Sequence, residues 1–330
     1  ASLVSSNIKH YRLQFSTVKK KIGILTTEGN LRFEERFYTR AFAFCVAERD
    51  GRLERGYEVF ALALPFDKVK PEELEKLCIT AGKRAELMLS SRRVKAGVMP
   101  VVLAGSAGGT MIHEAVGHGL EADHAEEGLS IYSGRLGEKV ASPLITVVDD
   151  PTLAPLYGSY QFDDEGTEAK PVVLIEKGTL KDFLYDAYQA LKWGKVSNGR
   201  GRRESFRHIP IPRMSNTFIA KGETPAEDII KSINKGLLVK KMGGGEVNPL
   251  TGDFVFEVRE GYYVENGEIL YPVKGATLVG NGPKVLEKID LVGDDLHFDP
   301  GTCGKDGQGV PVSDGQPTLR IPEIAVGGEG

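Results

Sequence analysis

The stretch VMPVVLAGSAGGTMIHEAVGHGLEAD, residues 98 to 123, passes from strand through turn to helix, and the rest of the chain is read outward from it. VMPVVLAG is an apolar run of strand length, SAGG is a tight turn, and TMIHEAVGHGLEAD has the pattern of a short helix with Thr110 as its candidate N-cap. Toward the N-terminus the basic, Ser-containing SSRRVKAG, residues 90 to 97, marks a domain boundary. Before it, a helix is expected from Pro71, with Glu72 and Glu73 in the first turn and Leu74, Leu77, Cys78, Ala81, Ala85 and Met88 at helical spacing. Residues 8 to 64 read as successive strands, with Asp50-Gly51 as a hairpin turn. Phe42, Phe44 and Val46 alternate there with Ala41, Ala43 and Cys45, which makes Cys45 a sheet residue; Cys78 belongs to the helix stripe.

Toward the C-terminus the chain is mostly strand: LITVVDD, PVVLIEKGTLKDFLYD, GLLVKKM, GDFVFEVREGYYVENGEILYPVKGATLVG and TLRIPEIAVGG, joined by Gly, Asn or Asp turns. Two helices interrupt this, around AYQALKW, closed by Gly194, and around PAEDIIKSIN. The architecture expected is α+β: a small, incomplete N-terminal mixed α/β domain over residues 1–95, and a larger β-rich C-terminal domain over 96–330 that carries the metal-binding helix. The chain opens at Ala1 with residues that already read as strand, so its N-terminal end is expected to be incomplete.

Composition narrows the classes. With 41% hydrophobic and 27% charged residues the 330-residue chain has an ordinary globular make-up, and a net charge of −4 gives no field that would draw in nucleic acid or an anionic membrane. No run approaches the roughly 20 apolar residues that span a bilayer, and no apolar signal core opens the chain, so the expected location is the cytoplasm, with no membrane partner. Three widely spaced cysteines, Cys45, Cys78 and Cys303, fit a reduced compartment rather than a disulfide framework.

The chemistry lies in HEAVGH. A zinc ion needs imidazole or thiolate donors about 2.0–2.3 Å away with one position left open, and His113 and His118 are such donors. Between them Glu114 is the residue type that takes a proton from water and passes it to a leaving amine. Zinc helices usually place two histidines four residues apart. Here the spacing is five, which on a regular α-helix sets them about 140° apart, too far for one ion. The helix must therefore deform between residues 114 and 119, and Gly117 and Gly119 make that inexpensive. Cys303 supplies a third donor, or is a buried free thiol.

HEAVGHGLEADH, GRRESFRHIPIPRMSNTF, GGGEVNPLTGDFVFEV and GTCGKDGQGVPVSDGQPTLRI, in this order, resemble the TldD/PmbA family, also called modulators of DNA gyrase. The resemblance covers residues from about 95 to 330 and more weakly the strands and helix before them. It implies a zinc metallopeptidase of the TldD type holding one Zn2+ per chain, since PmbA-like subunits generally lack the HExxxH string. The metal ligands it implies are His113, His118 and Cys303, with Glu114 as catalytic base. Short or unfolded peptides are the implied substrate, in an enclosed site within a homodimer or a heterodimer with a PmbA-like paralogue. Cys303 is read in a turn rich in glycine (Gly301, Gly304, Gly307) that lets backbone approach a metal.

Around this centre Arg203, His208, Arg207 or a backbone N–H are candidate oxyanion donors, and Glu121 or Asp123 either orients a ligand imidazole or caps the helix. Gly243 and Gly244 either admit a substrate backbone beside a sheet or form a plain turn. His124 and His297 are read as surface residues. One rival is a serine hydrolase using Ser106 of AGSAG, which lacks the first glycine of a nucleophile elbow. The other is a non-catalytic binding protein, gyrase- or nucleic-acid-related, gripping phosphates with Arg200, Arg202, Arg203, Arg207 and Arg213.

Overall fold

Three long antiparallel strands, β1 (Ile8–Leu25), β2 (Leu31–Arg49) and β3 (Arg52–Leu62), form a meander in this computed structural model. It describes residues 4–27 and 29–328; the strand reading of residues 1–3 lies outside the described residues. Asp50 and Gly51, with φ of 54° and 74°, make the expected tight hairpin between β2 and β3. The small side chains of β2 face one way, and α1 (Pro71–Leu89) lies on them: Leu77, Ala81, Ala85 and Leu89 pack on Ala41, Ala43, Cys45 and Ala47. Cys45 is thus a core residue and Cys78 packs beside it, as their periodicities require.

The strand Gly97–Leu103 is buried on both faces at its C-terminal end, with Val101 and Leu103 in one apolar cluster and Val102 in another, which explains its continuous apolar run. It belongs to a sheet ordered Lys235–Val247, Gly97–Leu103, Leu319–Gly327, Thr277–Asn281, Asp253–Glu265. Asp253–Glu265 pairs back with Lys235–Val247, and that pairing closes the ring into a barrel. Glu268–Lys274 extends it, and Arg92 and Arg93 add as a short edge strand.

A second sheet runs in the order His297–Lys305, Gln308–Gln316, Asn216–Ile219, Val147–Asp149, Val172–Glu176, Thr179–Leu180. Its first two strands correct the sequence reading. The segment around Cys303 is not a glycine-rich turn but a strand, and the turn is Asp306-Gly307, both at positive φ. A further helix, Gly282–Lys288, was also not expected from the sequence. The strand-rich mixture fits an α+β class, and no described helix is long and apolar enough to cross a membrane.

Candidate metal centre

Backbone geometry brings the HEAVGH segment against the Cys303 hairpin. After Leu103 the chain turns through Gly105–Ala107 and Gly108, and the helix begins at Thr110 with Gly109, not Thr110, preceding it. A Cβ on Gly109 would come within 2.4 Å of the Asp314 carbonyl carbon, so only glycine lets the helix start this close to strand Gln308–Gln316.

The helix then widens as its histidine spacing demands. The His118 N–H donates to the His113 carbonyl, five residues back, which is a single π-type turn, and a tighter turn follows where the Glu121 N–H reaches the His118 carbonyl at 3.4 Å. The widened turn brings His113 and His118 to one side, their ring centroids 5.0 Å apart and nearly perpendicular. Gly117 is required again, since a Cβ there would meet the Met214 sulfur at 2.0 Å.

Both imidazoles are oriented the same way. His113 Nδ1 is 2.8 Å from Asp314 Oδ1, and His118 Nδ1 is 3.0 Å from Glu121 Oε2. Each ring so held leaves Nε2 as its remaining donor atom. Cys303 Sγ lies 3.5 Å from His118 Nε2, and one ligand atom each from His113, His118 and Cys303 lie within 4.8 Å of one another. Two imidazole nitrogens and a thiolate, each histidine backed by a carboxylate, form a donor set that fits zinc and does not suit magnesium or calcium.

Charge supports the same arrangement. Burial pushes the Cys303 thiol up, but the neighbouring His113 and His118 outweigh it and bring it down to about 5. Burial pulls His118 down, and Glu121 with Cys303 raises it to about 10. His113 is raised well above its ordinary value against burial, by Asp314 and Cys303. Glu121 is itself fully buried, a condition that raises a carboxyl, yet Lys305, His118 and Arg213 hold it far below the carboxylate range. Lys305 Nζ is 3.1 Å from Glu121 and 2.7 Å from Asp123, while Arg213 donates to the Cys303 carbonyl at 2.6 Å and places its Nε 3.9 Å from Glu121.

Of the two carboxylates weighed as imidazole orienters, Glu121 holds His118 and Asp123 instead pairs with Lys305. Glu114 is partly exposed and, among the described residues, has no hydrogen-bond or ion-pair partner. His124 is not a free surface histidine, since its Nδ1 is 3.0 Å from the His118 carbonyl oxygen; His297 is exposed. Ser106 is exposed and donates to the Lys240 carbonyl; among the described residues no histidine bonds to it, so the nucleophile elbow lacks a base. Gly243 and Gly244 are neither a plain turn nor paired: they bulge from strand Lys235–Val247 between the pairs Met242–Val258 and Gly245–Phe256.

Three of the five clustered arginines are not part of an exposed basic patch. Arg200, Arg202 and Arg213 are buried, Arg200 on Asp149 at 2.5 Å, Arg202 on the carbonyls of Met214 and Pro311, Arg213 on those of Cys303 and Gln308. Charge counted along the sequence misreads them because their partners are backbone carbonyls and two carboxylates distant in sequence, Asp149 and Glu121. Arg203 lines a cavity with Lys20 and Tyr38, and His208 Nδ1 is 3.0 Å from Ser205 Oγ. The residues that sequence reasoning missed are Asp314, Lys305 and Arg213. Asp314 stands in the quoted motif GTCGKDGQGVPVSDGQPTLRI, but only the pairing of Cys303 with Val310 and Asp299 with Asp314 puts it on the side of the hairpin that faces the helix.

Residues 96–328 match the PmbA/TldA metallopeptidase C-terminal domain family. The chain is 41% identical over 320 residues to a metalloprotease TldD homolog of Haemophilus influenzae, covering 95% of this chain and 66% of that one. It is 37% identical over 321 residues to a metalloprotease of Methanocaldococcus jannaschii, covering 97% and 70%. Its fold is similar to that of a Thermotoga maritima protein described as a candidate modulator of a DNA gyrase, with a TM-score of 0.82, 25% identity and 98% and 70% coverage. TldE from Thermococcus kodakarensis shares the fold with a TM-score of 0.75 at 21% identity, covering 96% and 68%. The chain thus spans 66% of the length of the Haemophilus influenzae relative.

Proposed function

This chain belongs to the TldD/PmbA metallopeptidase family, and we propose that it hydrolyses short or unfolded peptides at a centre formed by His113, His118, Cys303 and one zinc ion, with Glu114 as general base. What carries this reading is the paired orientation of the two rings: Asp314 and Glu121 each occupy an Nδ1, so both Nε2 atoms are left for a metal beside the Cys303 sulfur. When bound, zinc supplies Lewis acidity, lowering the pKa of a water toward about 7 and polarising a carbonyl.

The chain's own residues supply the rest. Glu114 follows His113 directly and has no competing partner among the described residues, so its carboxylate is free to take a proton from water and return it to the leaving amine. Burial of Asp314 and Glu121 keeps the imidazoles from rotating, and Arg213 ties the Cys303 strand to the same buried cluster.

Substrate class follows from strand Lys235–Val247. It pairs with Gly97–Leu103 only at Leu237–Val239, so beyond Lys240 its edge away from Asp253–Glu265 carries no strand partner among the described residues. Gly244 has open space where a side chain would stand. An extended peptide can add to such an edge through backbone hydrogen bonds, which favours unfolded substrates over folded ones and little side-chain preference. A second subunit, a copy of this chain or a PmbA-like paralogue, belongs to the same reading.

The test is Glu114→Gln assayed on an unstructured peptide with zinc content measured in parallel. We expect unchanged zinc and turnover lower by about 10²–10⁴-fold. Normal cleavage by this variant would end the reading.

A further inference from the structure

We propose a second site in this chain: the cavity of about 320 Å3 between the β1–β2 hairpin and the loop at residues 202–206 binds an oxyanion, a phosphate group or a free carboxylate, through Lys20 and Arg203, with the buried charge of Arg202 behind them. It is independent of the metal chemistry. Cys303 and Thr302 point to opposite sides of their strand, and so do their partners Val310 and Pro311; the cavity is lined by Pro311, so it lies behind the hairpin, away from the metal donors.

The cavity wall carries uncompensated positive charge. Buried cations are nearly always matched by a carboxylate or an ion. Arg36, in the cavity wall, obeys this rule, with Glu34 at 2.8 Å and Asp164 at 2.9 Å. Lys21, also in the wall, pairs with Glu35 at 3.5 Å, whereas the buried Arg202 and the half-buried Lys20 and Arg203 have no carboxylate partner among the described residues. Arg202 is 2% exposed, yet its Nη atoms donate only to the backbone carbonyls of Met214 and Pro311, its guanidinium rests 5.0 Å from the Tyr160 ring centre, and its Nε has no acceptor. Lys20 Nζ donates to the Glu204 carbonyl at 2.7 Å, and among the described residues neither Lys20 nor the Arg203 side chain has a carboxylate within ion-pair distance.

The acidic groups nearby are already engaged. Asp164 accepts from Arg36 and from the Arg203 N–H, and Glu204 accepts from the Gly309 N–H at 2.7 Å. Burial together with the positive Arg36 and Arg202 pushes the Lys20 ammonium below its ordinary value, with Asp164 and Glu204 opposing, as expected of a cation short of a counter-ion. The Tyr38 hydroxyl, on the same wall, makes no hydrogen bond among the described residues. Three cations and a phenol around one small chamber match the several acceptor atoms of a single oxyanion.

Calorimetric titration of the full chain tests this with three probes: inorganic phosphate, an acetylated dipeptide with a free carboxylate, and the same dipeptide as its amide. We expect saturable binding of phosphate or of the free acid, and none of the amide. Lys20→Met and Arg203→Gln should each weaken it by about 10–100-fold, the effect of one lost charge-assisted hydrogen bond. Lys231→Gln, which removes an exposed charge on the helix Ala226–Lys231, should leave it unchanged. Phosphate alone or the free acid alone would identify the source of the oxyanion. Arg202 is left intact because its guanidinium also bridges two backbone segments. Absence of binding by both anions, equal binding of acid and amide, or affinity indifferent to Lys20→Met and Arg203→Gln would overturn the proposal.

Discussion

Asp314 Oδ1 lies 2.8 Å from His113 Nδ1, a hydrogen bond between residues 201 positions apart that aims the imidazole at Cys303. Because the carboxylate both fixes the ring and raises its basicity, Asp314→Asn should bind zinc about 10–100-fold more weakly with its fold intact. Competition against a chromophoric chelator, with circular dichroism as the control, measures this. Unchanged affinity would deny Asp314 any orienting role.

Zinc binding should release protons. Without the metal, His118 titrates at about 10 and His113 is also raised, so at neutral pH both carry the proton that a metal must displace, whereas Cys303, at about 5, is already a thiolate. Raising the pH removes those protons and therefore favours binding. Zinc affinity should rise by about two log units per pH unit near neutrality. Titration calorimetry in buffers of different ionisation enthalpy counts the protons, and a count near zero would contradict this charge state.

Lys305→Met should be severely destabilising. Its ammonium lies between Glu121 and Asp123, and removing it leaves Glu121, which is 0% exposed, with His118 at 3.0 Å and only the more distant His124 Nδ1 and Arg213 Nε, each 3.9 Å away, for compensation. Breaking a buried pair from one side costs about 3–5 kcal/mol, read from the chemical denaturation midpoint. A loss within the range of a surface substitution would mean that Glu121 takes up a proton or finds another partner.

The site was legible in the sequence where it is local and obscure where it depends on strand register. His113, Glu114 and His118 sit within six residues, and their five-residue spacing by itself required the widened turn found at His113–Gly117. Cys303 was misplaced in a turn because HFDPGTCGK and QGVPVSDGQ carry glycine, proline and polar residues where strands usually show alternation. Asp314 faces the helix only once those two strands are paired, which no local pattern reveals. Arg200, Arg202 and Arg213 read as a basic loop because burial against backbone carbonyls leaves no mark on composition. The N-terminal meander was easier, since Asp50-Gly51 and the alternation along β2 are both short-range signals.

The widened turn is held open by packing as well as by hydrogen bonds. Gly117→Ala would drive a methyl into the Met214 sulfur, so it should cost about 1–3 kcal/mol and weaken zinc binding, with Met214→Ala relieving part of the zinc defect in the double variant. Denaturation and chelator competition on the four proteins of the cycle give both quantities. Strict additivity would show that the two residues do not contact each other.

The central claim is that one zinc ion joins the HEAVGH turn to the Cys303 strand. X-ray absorption at the zinc edge measures the ligand atoms directly. The expected spectrum has one sulfur at about 2.3 Å and nitrogen or oxygen scatterers at about 2.0–2.1 Å, with the sulfur contribution lost in Cys303→Ser. A shell of nitrogen and oxygen alone in the wild-type protein, or a sulfur signal that survives Cys303→Ser, would contradict it.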